Sequence, residues 1–276
     1  MRILAAIVAS LIVLSIAGWL ALPLVLRALG LHPHDSGPFY QLPGGKALIV
    51  TTSHDQLGDE GKKTGVFGSE LTDPYYAFLD GGMSVDVVSI QGGQIPIDPS
   101  SFLWFLKAPS DKRYQEDPDL QAKVKTSRRV TDIDFTEYDI VFLSGGWGAA
   151  YDLGTSEVLG RKITEAWAAG KVIGGVCHGP LGLLLAKDEA GEPLVKGRRL
   201  TAVTDKQVEE LGIAITPQHP ERELRSAGAA FESNTAFRDL FANHVVVDGR
   251  LVTGQNQNAG SETAQKMMMV AGGSER

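Results

Sequence analysis

A single cysteine occurs in the 276 residues of the chain, and its neighbours are those a nucleophile needs. The run Gly174-Gly175-Val176-Cys177-His178-Gly179-Pro180 ends an apolar stretch in small residues and places a proline just beyond the cysteine. Proline is tolerated at the first position of a helix, where its missing N–H costs nothing, so the run reads as a sharp turn from a buried strand into a helix. A side chain on such a turn is presented at the edge of the sheet, and tiny neighbours make room for the strained backbone. The free N–H groups and dipole of a following helix favour thiolate, so the sequence predicts a Cys177 pKa below that of a free thiol, and a reactive sulfur rather than a packed one.

Two further places lie where ligands gather in open α/β sheets, beyond the carboxyl ends of strands. Leu143-Ser144-Gly145-Gly146-Trp147-Gly148 directly follows a strand-like run, and its glycines would let backbone N–H groups face developing negative charge, as an oxyanion hole does. A dinucleotide-binding loop fails here, because Tyr151 stands where the third glycine of G-x-G-x-x-G belongs. The other place is Lys63-Thr64-Gly65-Val66-Phe67-Gly68-Ser69-Glu70-Leu71, with Glu70 about one turn into a helix and able to point from the sheet's carboxyl end toward Cys177. From periodicity alone, Glu70 reads more often as a solvated helix carboxylate.

The elements that must position these groups alternate along the chain. Short continuous apolar runs at 46–52, 85–90, 138–146, 171–176 and 199–204, with a closing pair at 244–254, suit parallel strands buried on both faces. Helical patterns lie between them at 66–80, 157–169, 180–187, 207–211, 221–227 and 259–271. The expected fold is therefore α/β: a doubly wound, mostly parallel sheet flanked by helices, a flavodoxin-like sandwich, with Asp248-Gly249 as a hairpin turn. Residues 91–137, rich in proline and charge, are too long for an ordinary connection and are expected to be an insertion capping one end of the sheet. The domain is placed at 46–273, with no internal repeat and no second domain.

Ahead of it, Ile3 to Leu26 carry no charge across 24 residues, long enough at about 1.5 Å per residue to span a bilayer. Residues 1–29 are therefore expected to be an N-terminal transmembrane anchor, or an uncleaved signal, since the run exceeds the usual ~7–15-residue signal core. Residues 30–45, rich in Pro, Gly, His and Ser, read as a linker. Arg2 on one side and Arg27, His32 and His34 on the other only slightly favour an extracytoplasmic domain. A net charge of −7 and the lack of a basic stripe argue against a nucleic-acid partner. One cysteine excludes an intramolecular disulfide and a cysteine-based zinc cluster, and His54, His219 and His244 lack ligand spacing, so no metal site is expected.

Together, strand-G-V-C-H-G-P-helix, T-G-V-F-x-x-E, S-G-G-x-G and V-V-V-D-G-R-L-V-T-G-Q-N resemble the DJ/PfpI superfamily, which shares the class I glutamine amidotransferase-like fold. The resemblance runs from about Lys46 to Val270 and is greatest to the branch of heat-shock-protein-31-type chaperones and glutathione-independent glyoxalases. It implies Cys177 as nucleophile, His178 as its elbow histidine, Glu70 as the helix carboxylate, and Gly145 and Gly146 as the anion-binding loop. Trp147 departs from it, since relatives often carry histidine there. The implied activity is a glyoxalase III-type lyase, converting methylglyoxal or similar 2-oxoaldehydes to 2-hydroxy acids with no metal or organic cofactor, and the implied assembly is a homodimer. Two alternatives accompany it. One is a membrane-tethered chaperone or redox sensor. The other is an amidotransferase- or peptidase-like hydrolase, for which His219-Pro220-Glu221 would have to complete the triad.

Overall fold

The computed structural model describes residues 2–28, 37–59, 61–213 and 215–273; His32, His34 and much of the expected linker lie outside them. Seven strands form the central sheet, in the order Val245–Asp248, Leu251–Gly254, Val172–Val176, Ile140–Leu143, Lys46–Thr51, Ser84–Ser89, Arg128–Arg129. Every pairing is parallel except the Val245–Asp248/Leu251–Gly254 hairpin at one edge.

Successive residues of the inner strands face opposite sides, and each side is covered by helices. Ile49, Phe142 and Val176 pack with Leu71, Phe78 and Met267, which belong to the helices Gly68–Asp80 and Gly260–Ala271. Leu48, Val141 and Ile173 pack on the opposite face with Leu159, Ile163 and Trp167 of the helix Glu157–Ala168. Strands buried on both faces explain why the sequence shows continuous apolar runs rather than alternation. The chain runs outward from Lys46–Thr51 to one edge and then resumes on its other side at Ile140–Leu143, so the crevice between these two strands is the topological switch point.

Three expected elements differ. The helix expected over 66–80 starts at Gly68, because the Val66 N–H donates to the Pro96 carbonyl (2.9 Å) and its own carbonyl accepts from Asp98 N (2.8 Å). The run 199–204 is not a strand of the main sheet. Only Arg199–Leu200 is extended, paired with Ala230–Phe231, after which Thr201 N turns to Thr253 Oγ1 (2.8 Å) and Val203 N to the Cys177 carbonyl (3.1 Å). Instead of an α-helix over 180–187, a 3₁₀ helix spans Gly179–Leu183; two glycines and a proline in five residues favour i→i+3 bonds in a short turn. Residues 91–137 do more than cap, since beside the helices Pro109–Glu116 and Pro118–Lys125 they supply the edge strand Arg128–Arg129.

Before the domain runs the helix Arg2–Ala28, in which Ile3–Val25 has a mean hydropathy of 2.5 and is exposed except at the half-buried Ala21, Leu22 and Pro23. Among the described residues it is the one helix long and apolar enough to cross a membrane. Its Trp19 meets Trp104, with ring centroids 4.2 Å apart.

Candidate active site

Cys177 follows the last residue of the Val172–Val176 strand with φ +59°, the sole non-glycine at positive φ among the described residues. Such a conformation costs about 1–2 kcal/mol and persists where the surroundings over-determine it. Here both backbone groups are tied: Cys177 N donates to Gly254 O and its carbonyl accepts from Val203 N, each at 3.1 Å. The turn directs Sγ to the carboxyl end of the sheet, 3.3 Å from Nδ1 of His178.

Glu70 arrives from the switch point's other side. Phe67 is extended and starts the helix Gly68–Asp80, leaving Glu70 in the first turn and only 1% exposed. Ser144 Oγ donates to its carbonyl (2.9 Å), pinning the helix start to the glycine loop. A Cβ on Gly145 would overlap Glu70 Oε2 and the His178 nitrogen, and one on Gly146, at φ +92°, would overlap the Gly65 carbonyl and Phe67 N. Glycine at both positions is what lets the carboxyl reach the sulfur. Parallel pairing of Leu143 with Gly175 sets the glycine loop and the cysteine level at the sheet's end.

Burial dominates the electrostatics. It raises the Glu70 carboxyl to about 8, against the opposing pull of hydrogen bonding to Cys177 and to the N–H groups of Gly146 and Gly145. It also raises the Cys177 thiol well above its ordinary value, reinforced by the neighbouring carboxylate and only partly offset by the N–H groups of Gly146 and His178. The expected lowering of the thiol is thus overturned: a five-residue 3₁₀ turn supplies too little dipole to offset desolvation beside a second acid. The two groups behave as one buried pair: both hold their protons at neutral pH, and once the first is lost at about 8 the remaining one is shared between them. The N–H groups of Gly145 and Gly146 face the Glu70 carboxyl directly. His178 is pushed down to about 3 by burial and, secondarily, by His219, so its imidazole is neutral. Three buried polar atoms here make no regular hydrogen bond: Glu70 Oε2, His178 Nε2 and Gln207 Oε1.

These groups line one cavity of about 290 Å³. Its wall is largely apolar and includes Phe67, Phe105, Leu211, Leu240 and Phe241. Trp147 closes over the histidine, its ring centroid 4.7 Å from that of His178.

The expected residues Cys177, His178, Glu70, Gly145 and Gly146 therefore meet at one place, whereas His219-Pro220-Glu221 does not join them. Its Glu221 accepts the Asp205 N–H (3.0 Å) and pairs with Arg225 (2.9 Å), while His219 Nδ1 faces Asp205 Oδ1 at 3.8 Å. This cluster ties the start of the helix Pro220–Ser226 to that of Asp205–Glu210, and no hydrogen bond links it to Cys177 or His178. Gln207 was not foreseen, although it lies just past the apolar run 199–204, where the rule of carboxyl strand ends would have pointed. Phe105, in a turn, and Phe241, at the end of the 3₁₀ helix Asp239–Phe241, carry no sequence signal.

A switch-point crevice holding a cysteine on a strained strand-end turn, with a buried carboxylate opposite, defines a class of cysteine-elbow α/β proteins. The chain belongs to the DJ-1/PfpI family, whose sequence profile matches residues 63–269. It is 30% identical over 228 residues to Glyoxalase 3 of Candida albicans, covering 81% of this chain and 97% of that protein. It is 32% identical over 231 residues to the glutathione-independent glyoxalase HSP31 of Saccharomyces cerevisiae, covering 79% and 94%. Among solved structures, Rapid Encystment Protein 24 KDa of Francisella tularensis superposes with a TM-score of 0.77 at 31% identity, covering 82% of this chain and 99% of that one. Glyoxalase III of Candida albicans gives 0.73 at 28% identity, covering 82% and 97%.

Proposed function

We propose that the protein is a glutathione-independent glyoxalase that converts small 2-oxoaldehydes such as methylglyoxal to 2-hydroxy acids, with Cys177 as nucleophile and Glu70 as proton shuttle. The observation that carries this reading is the buried Cys177–Glu70 pair at the positive-φ turn; likeness to proteins named glyoxalases over most of their length supports it.

With one proton between them, the pair reacts as thiolate and carboxylic acid. Sγ bonds to the aldehyde carbon while Glu70 gives its proton to the aldehyde oxygen, forming a hemithioacetal. Glu70, now carboxylate, takes the proton from that carbon and delivers it to the adjacent ketone carbon, while the hydroxyl proton of the hemithioacetal passes to the ketone oxygen, leaving a 2-hydroxy thioester. Water cleaves the thioester, releasing lactate in the case of methylglyoxal and restoring the thiol. Oxidation at one carbon balances reduction at the next, so only water is consumed. The neutral His178 at 3.3 Å from Sγ is suited to guiding that water. We further propose that Ile3–Val25 anchors the domain to a membrane, a reading supported by its length, its hydropathy and its exposed surface.

The test is lactate formation from methylglyoxal without glutathione, in the wild type and in Cys177→Ser. Lactate from the wild type and none from the variant is the expected result. Lactate from neither sinks the proposal.

A further inference from the structure

We infer that the cavity selects 2-oxoaldehydes carrying an extended or bulky apolar group on the ketone carbon over methylglyoxal itself, an inference that rests on the glyoxalase reading. Two kinds of lining residue carry it. His178 Nε2 and Gln207 Oε1 are buried in the same cavity as Cys177 without hydrogen bonds; the ring nitrogen, as N–H, can donate to a carbonyl oxygen of the substrate, and the Gln207 oxygen can accept from the hydroxyl of the hemithioacetal or of the product. The rest of the wall asks for something else. Phe67, Phe105, Trp147, Leu211, Ile213 and Phe241 come from five separate segments, are each only half-buried by the protein, and turn apolar surface to the same space.

Size decides between a methyl group and a larger one. A cavity of about 290 Å³ matches about ten water volumes at ~30 Å³ each, whereas methylglyoxal has about five non-hydrogen atoms, all but its methyl carbon in the dicarbonyl unit. Methylglyoxal bound at Cys177 would leave most of the aromatic wall against water. Each further methylene removed from water there should raise kcat/KM about fourfold until the space is filled, because remote apolar contacts lower the barrier when they are kept in the transition state.

The experiment compares methyl-, propyl- and pentylglyoxal, whose aldehydes have similar intrinsic reactivity, by quantifying the 2-hydroxy acid formed by the full chain without glutathione. The pentyl compound is expected to exceed the methyl compound in kcat/KM on the order of 100-fold. Phe105→Ser and Leu211→Asn, on different segments, should each cut the pentyl-to-methyl ratio about tenfold, with circular dichroism confirming that the variants fold. Equal kcat/KM across the series, or a ratio unmoved in both variants, overturns the inference and leaves the glyoxalase reading standing. No product from any of the three aldehydes overturns both.

Discussion

Two clusters that set a histidine beside a potential acid, at Cys177-His178 and at His219-Pro220-Glu221, are built oppositely. Around Cys177 the reactive atoms are buried, the two acids keep their protons at neutral pH, and polar atoms such as His178 Nε2 have no hydrogen-bond partner. Around His219-Pro220-Glu221 the carboxylate is committed within the protein, Glu221 being divided between the Asp205 N–H and Arg225, although Asp205 Oδ1, 3.8 Å from His219 Nδ1, makes no hydrogen bond. A polar group already satisfied by its neighbours has little left to offer a substrate, whereas one buried at a cost keeps its hydrogen bonds for whatever enters. The difference separates a reacting site from a fastening between helices, although both look like catalytic motifs in one dimension.

The sharpest way to break this contrast is to delete one group from each cluster. Cys177→Ala is expected to lower kcat/KM for 2-oxoaldehydes by at least about 10⁴-fold, and His219→Ala to stay within about twofold of wild type, measured as 2-hydroxy acid formed. Comparable losses in the two variants would erase the distinction.

Glu70→Gln should reduce the rate by about 10²–10⁴-fold and at the same time stabilise the fold. The folded carboxyl titrates at about 8 and the unfolded one near 4.5, so between these values the native state holds a proton the unfolded state has released. Stability is therefore full below 4.5, declines as pH rises toward 8, and levels off above. At about 1.4 kcal/mol per pH unit the loss reaches about 3 kcal/mol by pH 7, and thermal melts of the Gln variant should recover it and lose that pH dependence. A Gln variant less stable than wild type at pH 7 would show that the carboxyl is not held neutral.

The same pair fixes the pH dependence of catalysis. Loss of its first proton makes the nucleophile, so kcat/KM should rise about tenfold per pH unit up to about 8 and then flatten. A flat profile from pH 6 to 8 would place the thiolate outside this coupling. Smallest in effect, Glu221→Ala should cost about 1 kcal/mol of stability, seen in denaturant unfolding, with turnover essentially unchanged.

How far the sequence discloses the site depends on whether local or distant packing sets each residue's state. The Cys177 turn was legible because its glycines and proline are local demands of one backbone shape. Glu70 was legible as a residue near the sheet's end but not as an acid held neutral, because its burial depends on Gly145 and Ser144, more than seventy residues away in the sequence. For the same reason the direction of the thiol's pKa was misread: dipole arguments are local and desolvation is not. The doubly wound order followed from strand–helix alternation, while the run 199–204 looked like a sheet strand because its apolar residues are buried against the Cys177 turn rather than in the ladder. Of the cavity's aromatic wall, Phe67 and Trp147 fell inside motifs read for other reasons, whereas Phe105 and Phe241 sit in a turn and a three-residue 3₁₀ helix, where no periodicity marks a residue.

Having one thiol in the whole chain makes Cys177 a built-in reporter. Any thiol-directed reagent that labels this protein labels that cavity, so the labelling rate reads how often the cavity opens to reagent, and its pH dependence reads the shared proton without a substrate. The same economy is an exposure: no second thiol can intercept an oxidant or resolve a sulfenic acid as an internal disulfide, so Sγ, once oxidised to that level, depends on an outside thiol for its recovery.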